Sequence, residues 1–201
     1  YYIENQRAGQ NPHDPLPPLQ SKAIIENHVK EGMRLAREHA LPRAIADVIP
    51  EHHGTRVMTY FYEKARAQSE AARASASPGS PGSQAGEVDP DAFRYPGPKP
   101  RSRETAIFML ADGVEAAART IEEPTPSRLK EMIHQIAGRI VLDGQLDACD
   151  LTFADLEKIE QAFHRSLVGM YHHRVDYPGF DFGRPKSERS GGEVRPFRPN
   201  A

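Results

Sequence analysis

The stretch Thr105-Ala106-Ile107-Phe108-Met109-Leu110-Ala111-Asp112-Gly113-Val114-Glu115-Ala116-Ala117-Ala118 decides how this chain folds. It is apolar on nearly every side, which is the mark of a central helix covered all round. Ser102 stands where it can cap that helix, and Glu104 suits its positive N-terminal end, so the helix is expected to reach about Ile121. Asp112 falls in the middle, with no lysine or arginine at helical spacing inside the run. A buried carboxylate is unfavourable without a strong partner, and Gly113 beside it lets something bulky come close. The partner is either an arginine from elsewhere or a metal ion.

Outward from this helix the pattern stays helical. A helix is expected from about Gln20 to Ala40, with Ile24, Ile25, His28, Gly32 and Leu35 on one stripe. Leu41-Pro42 starts a second, with Pro42 near its first turn. Ala44, Ile45, Val48 and Ile49 form its buried side, and it ends at His52-His53-Gly54. A third runs from Thr55 to about Arg73, through Val57, Met58, Tyr60, Phe61 and Ala65. Beyond the central helix, Ser127 to about Leu142 places Leu129, Met132, Ile133, Ile136 and Ile140 inward. Thr152 caps the last helix, which carries Phe153, Leu156, Ile159, Phe163, Leu167 and Met170 to about Arg174. No segment alternates with a period of two, so the fold class is all-α.

Two segments do not fit a packed core. Ala74 to Gly86 is built from Ser, Pro, Gly and Ala, which cannot bury enough surface to offset chain entropy. It is expected to be a flexible insert, about 74–90, inside one domain spanning 1–178. Residues 179–201 are expected to form a disordered tail. The first eighteen residues are Pro-, Asn- and Gly-rich, and His13-Asp14 sits in a turn there with no apolar scaffold behind it. Tyr95-Pro96-Gly97-Pro98-Lys99-Pro100 reads as stiff and extended.

Composition narrows the functional class. A formal net charge of -2 gives no case for a nucleic-acid polymer as partner. One cysteine, Cys149, excludes an internal disulfide and suits a reducing cytosol. No apolar run approaches the roughly 20 residues that span a bilayer. The start at Tyr1-Tyr2-Ile3 lacks an initiator methionine and a signal-peptide pattern, so the chain is read as a segment of a longer protein.

His28 and the pair His52-His53 join Asp112 as candidate metal ligands. Each has an ordinary reading as well. His28 suits a core histidine bonded to a carbonyl, and the pair suits surface histidines at a helix C-terminus. Adjacent residues on a helix diverge by about 100 degrees, so both imidazoles face one ion only if the helix end unwinds. Taken together, imidazoles and a carboxylate on three separate helices are what a cation such as Mn²⁺ or Fe²⁺ would want.

The order of a lone His, a later His-His pair and a still later Asp resembles an HD-domain phosphohydrolase. Glu51-His52-His53-Gly54-Thr55, Phe93 to Pro100, Met109-Leu110-Ala111-Asp112, Asp143-Gly144-Gln145-Leu146-Asp147 and Tyr171 to Pro178 narrow the likeness. They resemble the cytosolic domain of seven-transmembrane receptors with an intracellular HD hydrolase, the PgpH-type cyclic di-AMP phosphodiesterases. The resemblance implies an HD-like helical bundle in which His28, His52, His53 and Asp112 help to hold two divalent metal ions, Mn or Fe. It implies a cyclic dinucleotide as partner, cleaved to linear pApA, at the cytoplasmic face of a bacterial inner membrane. Contact with that membrane would come only through a transmembrane part outside this chain, and pairing into a homodimer is left open. Thr55, Lys99, Arg101 and Arg103 are candidates for meeting the substrate's charge, beside their ordinary reading as solvated residues. The resemblance also places a His-Asp dyad and one further ligand histidine upstream of Tyr1, so the isolated chain is expected to be inactive. Gly113 departs from the small hydroxyl residue more often found there. The alternatives are an HD phosphohydrolase for a different nucleotide and a non-catalytic nucleotide-sensing HD domain.

Overall fold

The computed structural model describes residues 11–76 and 86–171. Among them the helices are α1 (Pro18–Glu38), α2 (Arg43–Ala46), α3 (Val48–Glu51), α4 (Thr59–Ser75), α5 (Arg103–Ala118), α6 (Pro126–Leu142) and α7 (Phe153–Tyr171), with one 3₁₀ turn at Pro90–Phe93. There is no strand among the described residues, only an isolated antiparallel bridge between Val57 and Arg94. The all-α expectation holds. The expected tail, the core of the insert and the expected last residues of the final helix, 172–174, lie outside the described residues. At the insert's edges, α4 continues to Ser75 and Pro90 opens the 3₁₀ turn. No described helix is long and apolar enough to cross a membrane.

Burial is divided among three apolar clusters. Ile25, Met58, Phe61, Phe93 and Tyr95 join α1, α4 and the segment after the 3₁₀ turn. Val114, Ala118, Leu129, Ile133 and Leu167 join α5, α6 and α7 at one end. Met109, Leu110, Ala137 and Ile140 join α5 and α6 nearer the other end. The fully buried residues of α6, Leu129, Ile133, Ala137 and Ile140, recur at helical spacing, as its sequence stripe predicts.

Several elements depart from the sequence expectation. The second helix is broken into α2 and α3, and the reason is Pro50. In a continuous helix its nitrogen would meet the carbonyl of Ala46, but proline has no N–H to donate and its ring crowds that oxygen. Ala44 and Ile45, expected inward, are exposed. The third helix starts at Thr59 instead of Thr55 because residues 56–58 are recruited elsewhere. Tyr95 N–H donates to the Arg56 carbonyl at 2.9 Å and Met58 N–H to the Phe93 carbonyl at 2.9 Å. The central helix is not covered all round: Phe108 is 56% exposed and Ile107 37%. Leu35 on α1 and Phe153 and Met170 on α7 are exposed as well. Hydrophobicity marks the helices correctly, yet it cannot say which apolar side chain faces a neighbour.

His13 also differs from expectation. It is fully buried, edge-on to the Phe61 ring at 5.2 Å, so an apolar scaffold does stand behind that turn. Lys64 fixes the turn by donating to the carbonyls of His13, Asp14 and Leu16.

Candidate metal centre

α1, the α3 end and α5 converge on one spot. Gly32, one turn beyond His28, lets α3 lie against α1: a β-carbon there would stand 2.9 Å from Ile49 Cγ2. That close approach brings the end of α3 to His28. The chain then turns through Gly54 at φ +53°, a left-handed conformation suited to glycine. The turn answers the geometric objection to a histidine pair. The helix does stop, and His28, His52 and His53 each offer a ring nitrogen, all within 4.8 Å of one another.

The protonation of these rings follows from their partners. His28 Nδ1 lies 2.5 Å from the Ile25 carbonyl and His52 Nδ1 lies 2.8 Å from the Ile49 carbonyl. A carbonyl can only accept, so each Nδ1 carries the proton and donates it. In the neutral rings both Nε2 atoms then bear lone pairs, and they face each other at 3.4 Å. Two acceptors so placed repel unless a proton or a cation lies between them. Metal-ligating histidines commonly donate their other ring N–H to a carbonyl or carboxylate in this way.

Burial opposes a proton on His28 and on His53. Burial lowers the His28 pKa, the carbonyl of Ile25 works the other way, and the neighbouring His52 lowers it further. His53 is pushed from 6.5 down to about 2, first by burial and then by the charges of His52, His28 and Arg56. Neutral imidazoles are the ligating form. Three gathered imidazoles, with the Nδ1 atoms of His28 and His52 tied to carbonyls, make a donor set that fits a divalent cation.

Asp112 approaches from α5, its Oδ2 3.6 Å from His53 Nδ1, but among the described residues the ring nitrogens that lie within 4.8 Å of one another belong to His28, His52 and His53 alone. It is not the deeply buried carboxylate expected from sequence, since its side chain is 44% accessible. It stands beside His53, and no arginine or lysine among the described residues pairs with it. Gly113 abuts Ile136 and the Arg56 guanidinium, 3.2 and 3.4 Å from the position of a β-carbon.

The remaining sequence candidates all bond to protein groups. Thr55 N–H donates to Gln145 Oε1 at 2.9 Å, and its hydroxyl accepts from Gln145 Nε2 at 3.0 Å. Lys99 Nζ donates to the Gly144 carbonyl at 2.7 Å and lies 3.6 Å from Asp147. Arg101 pairs with Glu51 at 2.6 Å and Arg103 with Asp150 at 3.0 Å.

Residue-by-residue reading missed what holds the histidine turn. Glu51, immediately before the pair, is 2% exposed and accepts from both the Arg101 backbone N–H, at 3.0 Å, and the Arg101 side chain. Burial opposes its charge, but those bonds and one from Thr105 win and hold its pKa below the ordinary value. Gln145, fully buried, grips the far side of the turn, and its Nε2 also donates to Asp143, which pairs with Arg94. Tyr95 stacks on His53 with centroids 4.2 Å apart. The signal for Glu51 was a charged residue on a short segment that otherwise had to be covered. Gln145 stood in a turn whose sequence was noted without a role.

No family model matches the chain. A curated relative, the cyclic-di-AMP phosphodiesterase PgpH of Bacillus subtilis, is 38% identical over 178 residues, covering 89% of this chain and 23% of that protein. The chain thus spans about a quarter of the length of the curated relatives it matches. Among solved structures, the HD domain of the Listeria monocytogenes phosphodiesterase PgpH superposes with a TM-score of 0.71 at 38% identity, covering 86% of this chain and 73% of that one. The same domain in complex with cyclic di-AMP gives a TM-score of 0.69 at 38% identity, over 83% of this chain and 71% of that one.

Proposed function

This chain belongs to the PgpH HD-domain family, and from that premise we propose that it forms part of a metal-dependent phosphodiesterase hydrolysing cyclic di-AMP to linear pApA. The observation that carries the reading is the pair of Nε2 lone pairs, His28 to His52, facing each other at 3.4 Å with both Nδ1 protons committed to carbonyls. His28, His52, His53 and Asp112 are the residues that would hold divalent metal, two ions of manganese or iron in the full-length protein. When bound, such ions supply Lewis-acid polarisation of a phosphodiester and an activated water.

The chain's own residues supply position. The Ile25 and Ile49 carbonyls fix the His28 and His52 rings so that each turns Nε2 inward. Stacked Tyr95 sets the plane of His53 and screens one of its faces from water. Glu51 ties the end of α3 to the N-terminal end of α5, and so fixes the histidines relative to Asp112. Thr55, Lys99, Arg101 and Arg103 remain candidates for substrate contact. The three cations would have to exchange carboxylate or carbonyl partners for phosphate to serve. The proposed setting is the cytoplasmic face of a bacterial inner membrane.

The test is Asp112→Asn in the full-length protein. Most of the bound metal and nearly all cleavage of cyclic di-AMP are expected to disappear, read by elemental analysis and by release of pApA. Unchanged metal content would remove Asp112 from the ligand set. A panel of cyclic dinucleotides assayed on the wild type checks the substrate, and preference for another ring would reject cyclic di-AMP.

A further inference from the structure

A phosphodiester carries negative charge that the imidazoles and Asp112 cannot meet. The cations near the histidine turn are mostly committed: Arg94 to Asp91 and Asp143, Lys99 to Gly144 and Asp147, Arg101 to Glu51, Arg103 to Asp150. Arg56 differs. It is half-buried, and its side chain forms no hydrogen bond or ion pair with any described residue. It stands three residues after His53, whose carbonyl accepts its backbone N–H at 3.2 Å. Its guanidinium crosses to α5, with Nη1 3.4 Å from where a β-carbon on Gly113 would lie, next in the chain to Asp112.

An arginine with no ion-pair partner among the described residues is at odds, in this place, with a site that gathers cations. The like charges repel unless an anion lies between them, and partial burial weakens the screening. A phosphate oxygen is such an anion, and the planar fork of guanidinium donors matches it in two bonds. Gly113 fits the same arrangement. A side chain there would crowd both Arg56 and Ile136 Cγ2, the latter at 3.2 Å.

We propose that Arg56 is a substrate-binding residue of this site, gripping a non-bridging oxygen of the phosphodiester, and that Gly113 supplies the space its guanidinium occupies. This rests on the phosphodiesterase reading and adds to it the group that recognises the phosphate. The simplest rival role is service to His53, whose neutral form the Arg56 charge favours; in that case losing the arginine would loosen metal.

The experiment uses the full-length protein with its metals and two substrates, cyclic di-AMP and the plain diester bis(4-nitrophenyl) phosphate. Arg56→Met is expected to raise KM about tenfold or more for both, with kcat moved less and metal content unchanged. Arg56→Lys keeps the charge but loses the fork, and should fall between. Gly113→Ala should raise KM by a smaller factor through displacement of the guanidinium. An unchanged KM in Arg56→Met and Arg56→Lys would overturn the assignment, and so would metal lost in proportion to activity. If the wild type cleaves only the plain diester and Arg56→Met still raises its KM, the cyclic di-AMP reading falls while the role of Arg56 stands.

Discussion

The α6–α7 pair and the turn from Glu51 to Thr55 are held by opposite means. α6 buries Leu129, Ile133, Ala137 and Ile140 in a continuous stripe against α5 and α7. The turn follows two four-residue helices that bury almost nothing apolar, and its security comes from polar bonds to Arg101 and Gln145. Apolar packing tolerates small slides because it has no direction. Hydrogen bonds at 2.6–3.0 Å do not, since they weaken steeply with angle. The site is therefore built where directional bonds position it, and the bundle behind supplies stability.

The comparison breaks most visibly on the apolar side. Ile133→Ala, at a residue 1% exposed, removes three carbons from a closed cluster. It should destabilise the domain by about 2–5 kcal/mol in a chemical melt. Metal affinity per folded molecule should be unchanged. A matching loss of affinity would mean that the two regions are not separate.

Acid should find the other region. His53 has a folded pKa of about 2 against an ordinary 6.5, so between those values the unfolded chain holds more protons than the folded one. Stability is thus full above pH 6.5 and falls as pH drops below it, by about 1 kcal/mol per pH unit from this one group. In chelator-treated protein, melts from pH 7 to pH 5 should show that slope, and His53→Gln should flatten it. An identical slope in the variant would show that the histidine is not held neutral by the fold.

The same contrast explains what the sequence made legible. The α6 stripe could be read directly because burial recurs at the helical period. His28, the histidine pair and Asp112 stand out in the sequence because polar groups interrupt apolar runs. What failed depended on partners distant in sequence. Pro50 broke a helix whose hydrophobic pattern ran straight through it. Gln145 is 90 residues from Thr55 and has no local pattern to announce it. Phe108 looked like core until the packing left it on the outside. Asp112 was expected to be buried, whereas it stands beside His53 while 44% accessible.

A last pair of variants isolates direction from burial. Glu51→Ala removes the acceptor for the Arg101 backbone N–H and the partner of its guanidinium. Arg101 is 57% accessible and can turn to water, so the loss should stay below that of a wholly buried pair, at about 1–3 kcal/mol. Glu51→Gln keeps an acceptor for the backbone N–H and gives up the charge, so it should cost less still. If the polar bonds position the histidines, metal affinity should fall in Glu51→Ala and recover in part in Glu51→Gln. Ile133→Ala, though less stable than either, should hold metal like the wild type. Equal metal affinity in all three variants would mean that the backbone places the histidines unaided, and the division between a positioned site and a stabilising bundle would be lost.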